Sequence, residues 1–133
     1  FPALQDPGTM ITTDTLLMGV GKPSYLFYGC YPKFFGRYVN DMKLLDLPEA
    51  VRRCTSLPAD FFGIKGRGLV REGYRADLLV MDAEGFRTEA VFREPERFPT
   101  GLDTVIINGV PVVEGGEVVP GRLAGSMLRK NER

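Results

Sequence analysis

Residues 47–82, LPEAVRRCTSLPADFFGIKGRGLVREGYRADLLVMD, hold the pattern from which the architecture follows. Asp46 stands just before this stretch and Glu49 three residues later, the spacing of a capping box. Pro48 falls in the first turn, where a missing N–H costs no helical hydrogen bond. Leu47, Ala50, Val51 and Cys54 recur at i, i+3, i+4 and i+7, which predicts one apolar helix face over residues 46–57. Pro58 disfavours helical geometry at Leu57 and ends that helix. A second short helix is expected between Pro58 and Gly63. Gly66, Gly68 and Gly73 then punctuate a loop that runs into Leu78-Leu79-Val80-Met81. That run does not alternate, so it predicts a strand covered on both faces.

Downstream, Thr104-Val105-Ile106-Ile107 and Val110-Pro111-Val112-Val113 flank Asn108-Gly109, a strong two-residue hairpin signal. Pro111 has no N–H, so the returning strand is expected at an edge or with a late start. Gly115-Gly116 turns the chain towards Glu117-Val118-Val119, and residues 83–103 read as polar and irregular. Upstream, Thr9-Met10-Ile11-Thr12-Thr13 is a short β-branched run, predicted to be a strand that ends at Asp14. Tyr25, Phe27, Tyr28, Tyr31, Phe34 and Phe35 crowd residues 22–36, where Pro23, Gly29 and Pro32 interrupt any period. This region predicts an aromatic loop leading into a helix that starts near Pro32. Its plain structural reading is a hydrophobic plug against a larger body. The tail from Gly121 reads as a helical turn or a frayed end.

The 133 residues carry 17 basic and 17 acidic side chains, a formal net charge of zero. That balance lacks the basic excess of a nucleic-acid binder. No apolar run approaches the roughly 20 residues that span a bilayer. The start, Phe1-Pro2-Ala3, has neither the basic opening nor the apolar core of a signal peptide. It also lacks an initiating Met, and it reads as the continuation of a longer chain. The helical part and the strand part each look too small to close a core alone.

There is no histidine, which excludes a Ser-His-Asp triad, a Cys-His dyad and a histidine metal site within these residues. Cys30 and Cys54 have no metal-ligand spacing and read as two reduced, buried thiols of a cytoplasmic protein. Gly19-Val20-Gly21 and Gly66-Arg67-Gly68 lack the third glycine and the helix of a dinucleotide fingerprint. The pointed candidate is Asp14. A carboxylate at the C-terminal end of a strand is where a parallel α/β barrel keeps its chemistry. Such a group can ligate a metal or take a proton from an attacking water. Asp14 can equally serve as a turn cap.

Four stretches together resemble the C-terminal part of the amidohydrolase superfamily, in its D-aminoacylase (N-acyl-D-amino-acid deacylase) branch. MITTDTLLMG at 10–19 is similar to the segment that ends the last barrel strand with a catalytic Asp. YGCYPKFFGRYV at 28–39 resembles that branch's Tyr-Gly block. Residues 47–82 resemble the helix pair and the Gly-x-Ala-Asp-Leu-Val strand. VIINGVPVVEGGEVVPGR at 105–122 resembles the closing hairpin and Pro-Gly exit.

The resemblance implies an α+β fragment. Residues 1–63 would be the last strand and helices of a TIM-type barrel, and residues 64–133 the C-terminal strands of a composite β-sandwich. It implies a metal-dependent hydrolase of a non-peptide C–N bond, with zinc or another divalent metal in the complete enzyme and none in this chain alone. The metal-binding histidines would come from the rest of the same enzyme. Asp14 would be the metal ligand and proton carrier, with Ser24 and Tyr28 on the substrate, a small-molecule amide. A homo-oligomer is an open partner; nucleic acid and membrane are not expected.

Two departures from the branch stand out. Thr15 follows the Asp where the branch has Gly, and Ser24, Tyr25 and Leu26 stand where it has His-Pro-Arg. Leu26 cannot offer a substrate carboxylate the forked cation it wants, which leaves Lys22 and Arg37 as the nearby cations. The aromatics Tyr25, Phe27 and Tyr28 would suit a less polar substrate. The alternatives are an amidohydrolase for a cyclic amide, and a non-catalytic interaction module that kept the C-terminal fold.

Overall fold

The computed structural model describes residues 1–15 and 21–129. Four α-helices come first: α1 (Pro2–Gln5), α2 (Tyr25–Lys33), α3 (Leu47–Cys54) and α4 (Ser56–Phe61), with a π-helical stretch Phe34–Asp41 continuing α2. Four strands follow: β1 (Leu78–Met81), β2 (Leu102–Ile107), β3 (Val110–Glu114) and β4 (Glu117–Val118). They form one antiparallel sheet in the order β1-β2-β3-β4. Among the described residues, no helix is long and apolar enough to cross a membrane.

Two helices are present around Pro58. However, α3 already stops at Cys54 and α4 starts at Ser56, so Leu57 is helical. Pro58 sits in the first turn of α4, where its missing N–H costs nothing, rather than ending α3. Asp46 caps α3, its carboxylate accepting the Glu49 N–H at 2.9 Å. The reciprocal half of the capping box is not made, because the Glu49 carboxylate turns to Arg52 and Arg53 instead. Gly63 follows α4 at φ +67°, a left-handed exit that suits glycine. Ala50 on the expected apolar face is fully buried, whereas Leu47 and Val51 are exposed.

The aromatic region departs from the sequence reading. α2 begins seven residues before Pro32, because the Ser24 side chain accepts the Leu26 N–H at 3.3 Å and caps the helix. Pro32 lies in its last turn. The chain then widens to π geometry, and the Met42 N–H reaches back five residues to the Arg37 carbonyl at 2.9 Å. The widened stretch buries Phe34, Phe35 and Val39.

These three side chains, with Ala50 and Phe86, form the core cluster. Leu4, Ile11, Tyr31, Tyr38, Leu45, Cys54, Met81 and Leu102 pack around it. Phe86 comes from the loop after β1, so helices and sheet share one core. Gly36 makes that possible: a Cβ there would lie 3.1 Å from the Arg87 side chain and 3.5 Å from the Phe86 carbonyl. Asn40 and Asp41 reinforce the junction, through the Ala83 carbonyl at 2.6 Å and the Arg87 guanidinium at 2.9 Å.

The sheet corrects a second expectation. Leu79 and Val80 of β1 are more than half exposed, so neither face of that strand is closed here. No residue of the four strands is fully buried. The hairpin at Asn108-Gly109 forms as read, with both residues at positive φ. Pro111 is not on an edge strand by order. It lies beside a register shift in β2 and beyond the reach of the two-residue β4, which pairs Val113 and Glu114. The Asp77 carboxylate accepts the Asn108 N–H at 2.8 Å and pairs with Arg67, tying the hairpin tip to the loop before β1. Residues 9–14 carry no strand assignment; the β-branched run has no strand beside it among the described residues.

Glu49 is held down to a pKa of about 2, from an ordinary 4.5, by hydrogen bonds from Arg52 and Arg53. A depressed folded-state pKa means this contribution is present above about pH 4.5 and is lost as pH falls towards 2. Denaturant titration should therefore show Glu49→Gln less stable than the parent at pH 7. The difference should shrink steadily between pH 4.5 and pH 2. A pH-independent difference would show that the ion pairs are not its source.

Candidate active site segment

Asp14 is exposed and sits at φ +49°, in the left-handed region that few residues other than Gly, Asn and Asp adopt. The stretch before it is held to the helices by its backbone. The Ile11 N–H donates to the Arg53 carbonyl at 3.3 Å, on α3. The Ile11 carbonyl accepts from the Tyr31 hydroxyl at 3.4 Å, and the Thr12 carbonyl from the Cys30 thiol at 3.4 Å, both on α2. Arg53 is 2% exposed; its guanidinium donates to the Leu4 carbonyl at 2.7 Å and to Glu49 at 2.8 Å. Arg52 donates to the Pro7 carbonyl at 2.7 Å and forks onto Glu49 at 2.6 and 2.8 Å. One carboxylate thus aims two guanidinium groups at the segment that leads to Asp14.

The other two sequence-predicted residues sit on α2. Ser24 is exposed and its hydroxyl oxygen is engaged as the helix cap. Tyr28, one turn further on, packs edge-on against Phe98 with ring centroids 5.9 Å apart. Tyr25 carries the Lys33 ammonium over its ring at 5.4 Å, a cation–π contact. Two open grooves flank this helix. One of about 530 Å³ is lined by Tyr25, Arg37, Asp41, Arg87 and Phe92 among others. The other, of about 430 Å³, is lined by Lys22 and residues 94–97. So Arg37 and Lys22, the two nearby cations, face different grooves. Asp14, Ser24 and Tyr28 line neither. The Gly-x-Gly at 19–21 lies largely outside the described residues.

Sequence reasoning gave Arg53 no role, read Glu49 only as a capping-box partner and Tyr31 only as one of the crowded aromatics. Glu49 and Arg53 stand at i and i+4, which favours an ion pair. The signal was hidden because a charged residue at a helix position normally reads as solvated.

Both thiols resist ionisation. Burial pushes Cys54 up to about 12 and raises Cys30, which Lys33 partly opposes. Tyr31 is raised as well, first by burial and then by the two neighbouring thiols. Neither cysteine has the electropositive setting of a nucleophile.

Among the described residues, no group of three or more His, Cys, Asp or Glu side chains could hold a metal ion. A lone exposed carboxylate does not fit zinc, which takes three protein ligands at catalytic sites. These residues therefore do not by themselves make a metal centre.

The amidohydrolase family profile matches residues 4–113. The D-aminoacylase of Alcaligenes xylosoxydans xylosoxydans is 35% identical over 122 residues, covering 92% of this chain and 25% of that protein. A crystal structure of D-aminoacylase, described as defining a novel subset of amidohydrolases, superposes with a TM-score of 0.75 at 36% identity. It covers 78% of this chain and 22% of that one. The N-acyl-D-glutamate deacylase of Bordetella bronchiseptica, solved with zinc and a phosphonate mimic of the tetrahedral intermediate, gives a TM-score of 0.76 at 30% identity. It covers 91% of this chain and 26% of its own. The chain thus spans about a quarter of the length of the relatives it matches.

Alkylation with iodoacetamide at pH 8 should label Cys54 at least about a hundredfold more slowly than a free thiol, since its thiolate is suppressed. Labelling should become complete on unfolding, as read by peptide mass mapping. Rapid native labelling of Cys54 would show that the thiol is not shielded.

Proposed function

This chain belongs to the amidohydrolase family, and we propose that it is the closing segment of an enzyme that hydrolyses a non-peptide C–N bond. The observation that carries the reading is likeness to D-aminoacylase over 92% of this chain but only a quarter of that protein. Residues 1–63 are then the end of the catalytic barrel and residues 64–133 the last strands of a composite β-sandwich. The exposed Leu79 and Val80, and the lack of a fully buried strand residue among the described residues, support this division: the sheet has a face for further strands to cover.

Asp14 is the group with chemistry in this segment. In the proposed reaction it accepts a proton from the water that attacks the amide carbonyl. It then delivers that proton to the leaving nitrogen as the C–N bond breaks. Its positive φ and exposure suit a carboxylate turned out at the end of a segment. Ser24 and Tyr28 are the proposed substrate contacts from α2. Zinc, the metal in the deacylase structure, would be held by Asp14 together with side chains outside this segment, and it would supply Lewis acidity.

The substrate class is an N-acyl-D-amino acid or a less polar amide. Leu26 and the tyrosines favour the second arm, because none of them offers a fork to a carboxylate.

The test is to assay the complete zinc-loaded polypeptide on N-acetyl-D-amino acids, N-acetyl-D-glutamate and a cyclic amide such as hydantoin. Hydrolysis of one class is expected, with Asp14→Asn lowering kcat by about 10²- to 10⁴-fold when the two proteins are compared at matched zinc loading. A folded, metal-loaded polypeptide that hydrolyses none of them would overturn the enzymatic reading and favour a non-catalytic module. Wild-type activity in Asp14→Asn would remove Asp14 from the mechanism.

A further inference from the structure

We propose that Phe98, carried by the loop between β1 and β2, is a positioning residue that sets the ring of Tyr28 for the substrate. The proposal rests on Tyr28 as a substrate contact, as proposed above, and extends that site to a residue of the sheet half.

The loop lies along the helices, from the end of the π-helical stretch back to the start of α2. The Asn40 amide donates to the Ala83 carbonyl at 2.6 Å, and the Phe86 ring meets Phe35 at a centroid distance of 5.9 Å. Arg87 pairs with Asp41 at 2.9 Å and lies against Gly36. A Cβ at Gly29 would collide with the Thr88 hydroxyl and lie 3.5 Å from the Ala90 side chain. Glycine there lets the loop close on α2 right beside Tyr28. Residues 94–97 then border a groove with Gly21 and Lys22, ahead of the Ser24 cap.

The loop also holds itself. Its base is a bridge between Arg87 and Thr100, where the Thr100 N–H donates to the Arg87 carbonyl at 3.0 Å. Inside it, Val91 and Glu94 exchange backbone hydrogen bonds at 3.1 and 3.0 Å. Phe98 stands two residues before the bridge, and Pro99 between them has a fixed φ. The Phe98 ring thus reaches Tyr28 from a fixed base, with centroids 5.9 Å apart and ring planes at 69°. Both rings, and every contact that seats the loop, belong to this segment. Further chain around Tyr28 adds neighbours to the pair without supplying either member. The segment superposes on part of a longer deacylase chain, so its internal packing is compatible with a larger enzyme around it.

A tyrosine on a helix chooses between two χ1 rotamers, at about 180° and about −60°. An edge-to-face aromatic partner favours one of them by about two- to tenfold. If substrate binds only when the ring is in the competent rotamer, apparent affinity scales with that fraction. Phe98 therefore acts on KM through Tyr28 and leaves the proton transfers at Asp14 alone.

The test uses the complete zinc-loaded polypeptide with Phe98→Ala, Phe98→Tyr and Tyr28→Ala, and with Phe98→Ala and Tyr28→Ala combined. It reads kcat, KM and Tm on the substrate that the parent hydrolyses best. Phe98→Ala should raise KM about two- to fivefold, with kcat within about twofold of the parent. Phe98→Tyr keeps the ring and should keep the parent KM. In the Tyr28→Ala background, Phe98→Ala should leave KM unmoved, because both act through one ring. The proposal is overturned if Phe98→Ala lowers Tm but keeps the parent KM, or if it raises KM equally with and without Tyr28. Should Phe98→Ala not fold, Phe98→Leu decides in its place, because it keeps apolar bulk and loses the ring edge. Failure of the underlying assignment shows separately, as the parent KM in Tyr28→Ala itself.

Discussion

A guanidinium with 2% of its surface exposed must find its counter-charge and its carbonyls inside the protein. Arg53 finds them in Glu49, one turn back on the same helix, and in Leu4, at the far end of the described sequence. This constraint organises the helical half. It draws residues 4–11 across α3, brings Ile11 between α3 and α2, and lets Leu4 and Ile11 join the core. Arg52 repeats the arrangement nearer the surface on the Pro7 carbonyl. Remove the carboxylate of Glu49 and both guanidinium groups lose the anion that aims them.

The two halves of the chain are stabilised differently. The helical half has a core, built by Phe34, Phe35, Val39 and Ala50 and completed by Phe86 from across the junction. The sheet half has hydrogen-bonded strands, a tied hairpin tip and no fully buried strand residue. A sheet in that condition gains little from the hydrophobic effect, whose contribution scales with the apolar area removed from water. The chain belongs to the amidohydrolase family and spans about a quarter of the length of the relatives it matches. The proposed composite sandwich accounts for an apolar, non-alternating β1 that is left half exposed.

Local signals were legible where a local cause sufficed. Asp46 and Pro48 announced α3, Gly63 marked the exit from α4, and Asn108-Gly109 made the hairpin. These depend on capping geometry, on the missing N–H of proline and on positive φ, all properties of a few adjacent residues. The aromatic region was misread because Pro32 looked like a helix start. Ser24 caps the helix earlier, and Pro32 falls in its last turn, just before the chain widens to π geometry. The strand expected before Asp14 depended on neighbours that the described residues do not include.

The candidate site divides along the same line. The sequence by itself singled out Asp14, excluded histidine chemistry within these residues, and carried the family likeness through motifs spaced along the chain. Charge balance and the lack of a long apolar run were equally plain. Only the tertiary structure decided that Arg53 is buried, that Ile11 is gripped by two helices, that Tyr28 rests on Phe98, and that Gly36 lets the helices approach Phe86. The physical reason is range. Caps, turns and breakers act over three or four residues, and their patterns are written in order along the chain. The Leu4–Arg53 and Ile11–Tyr31 contacts join residues far apart in sequence, and their energies depend on a burial that exists only once the chain has folded.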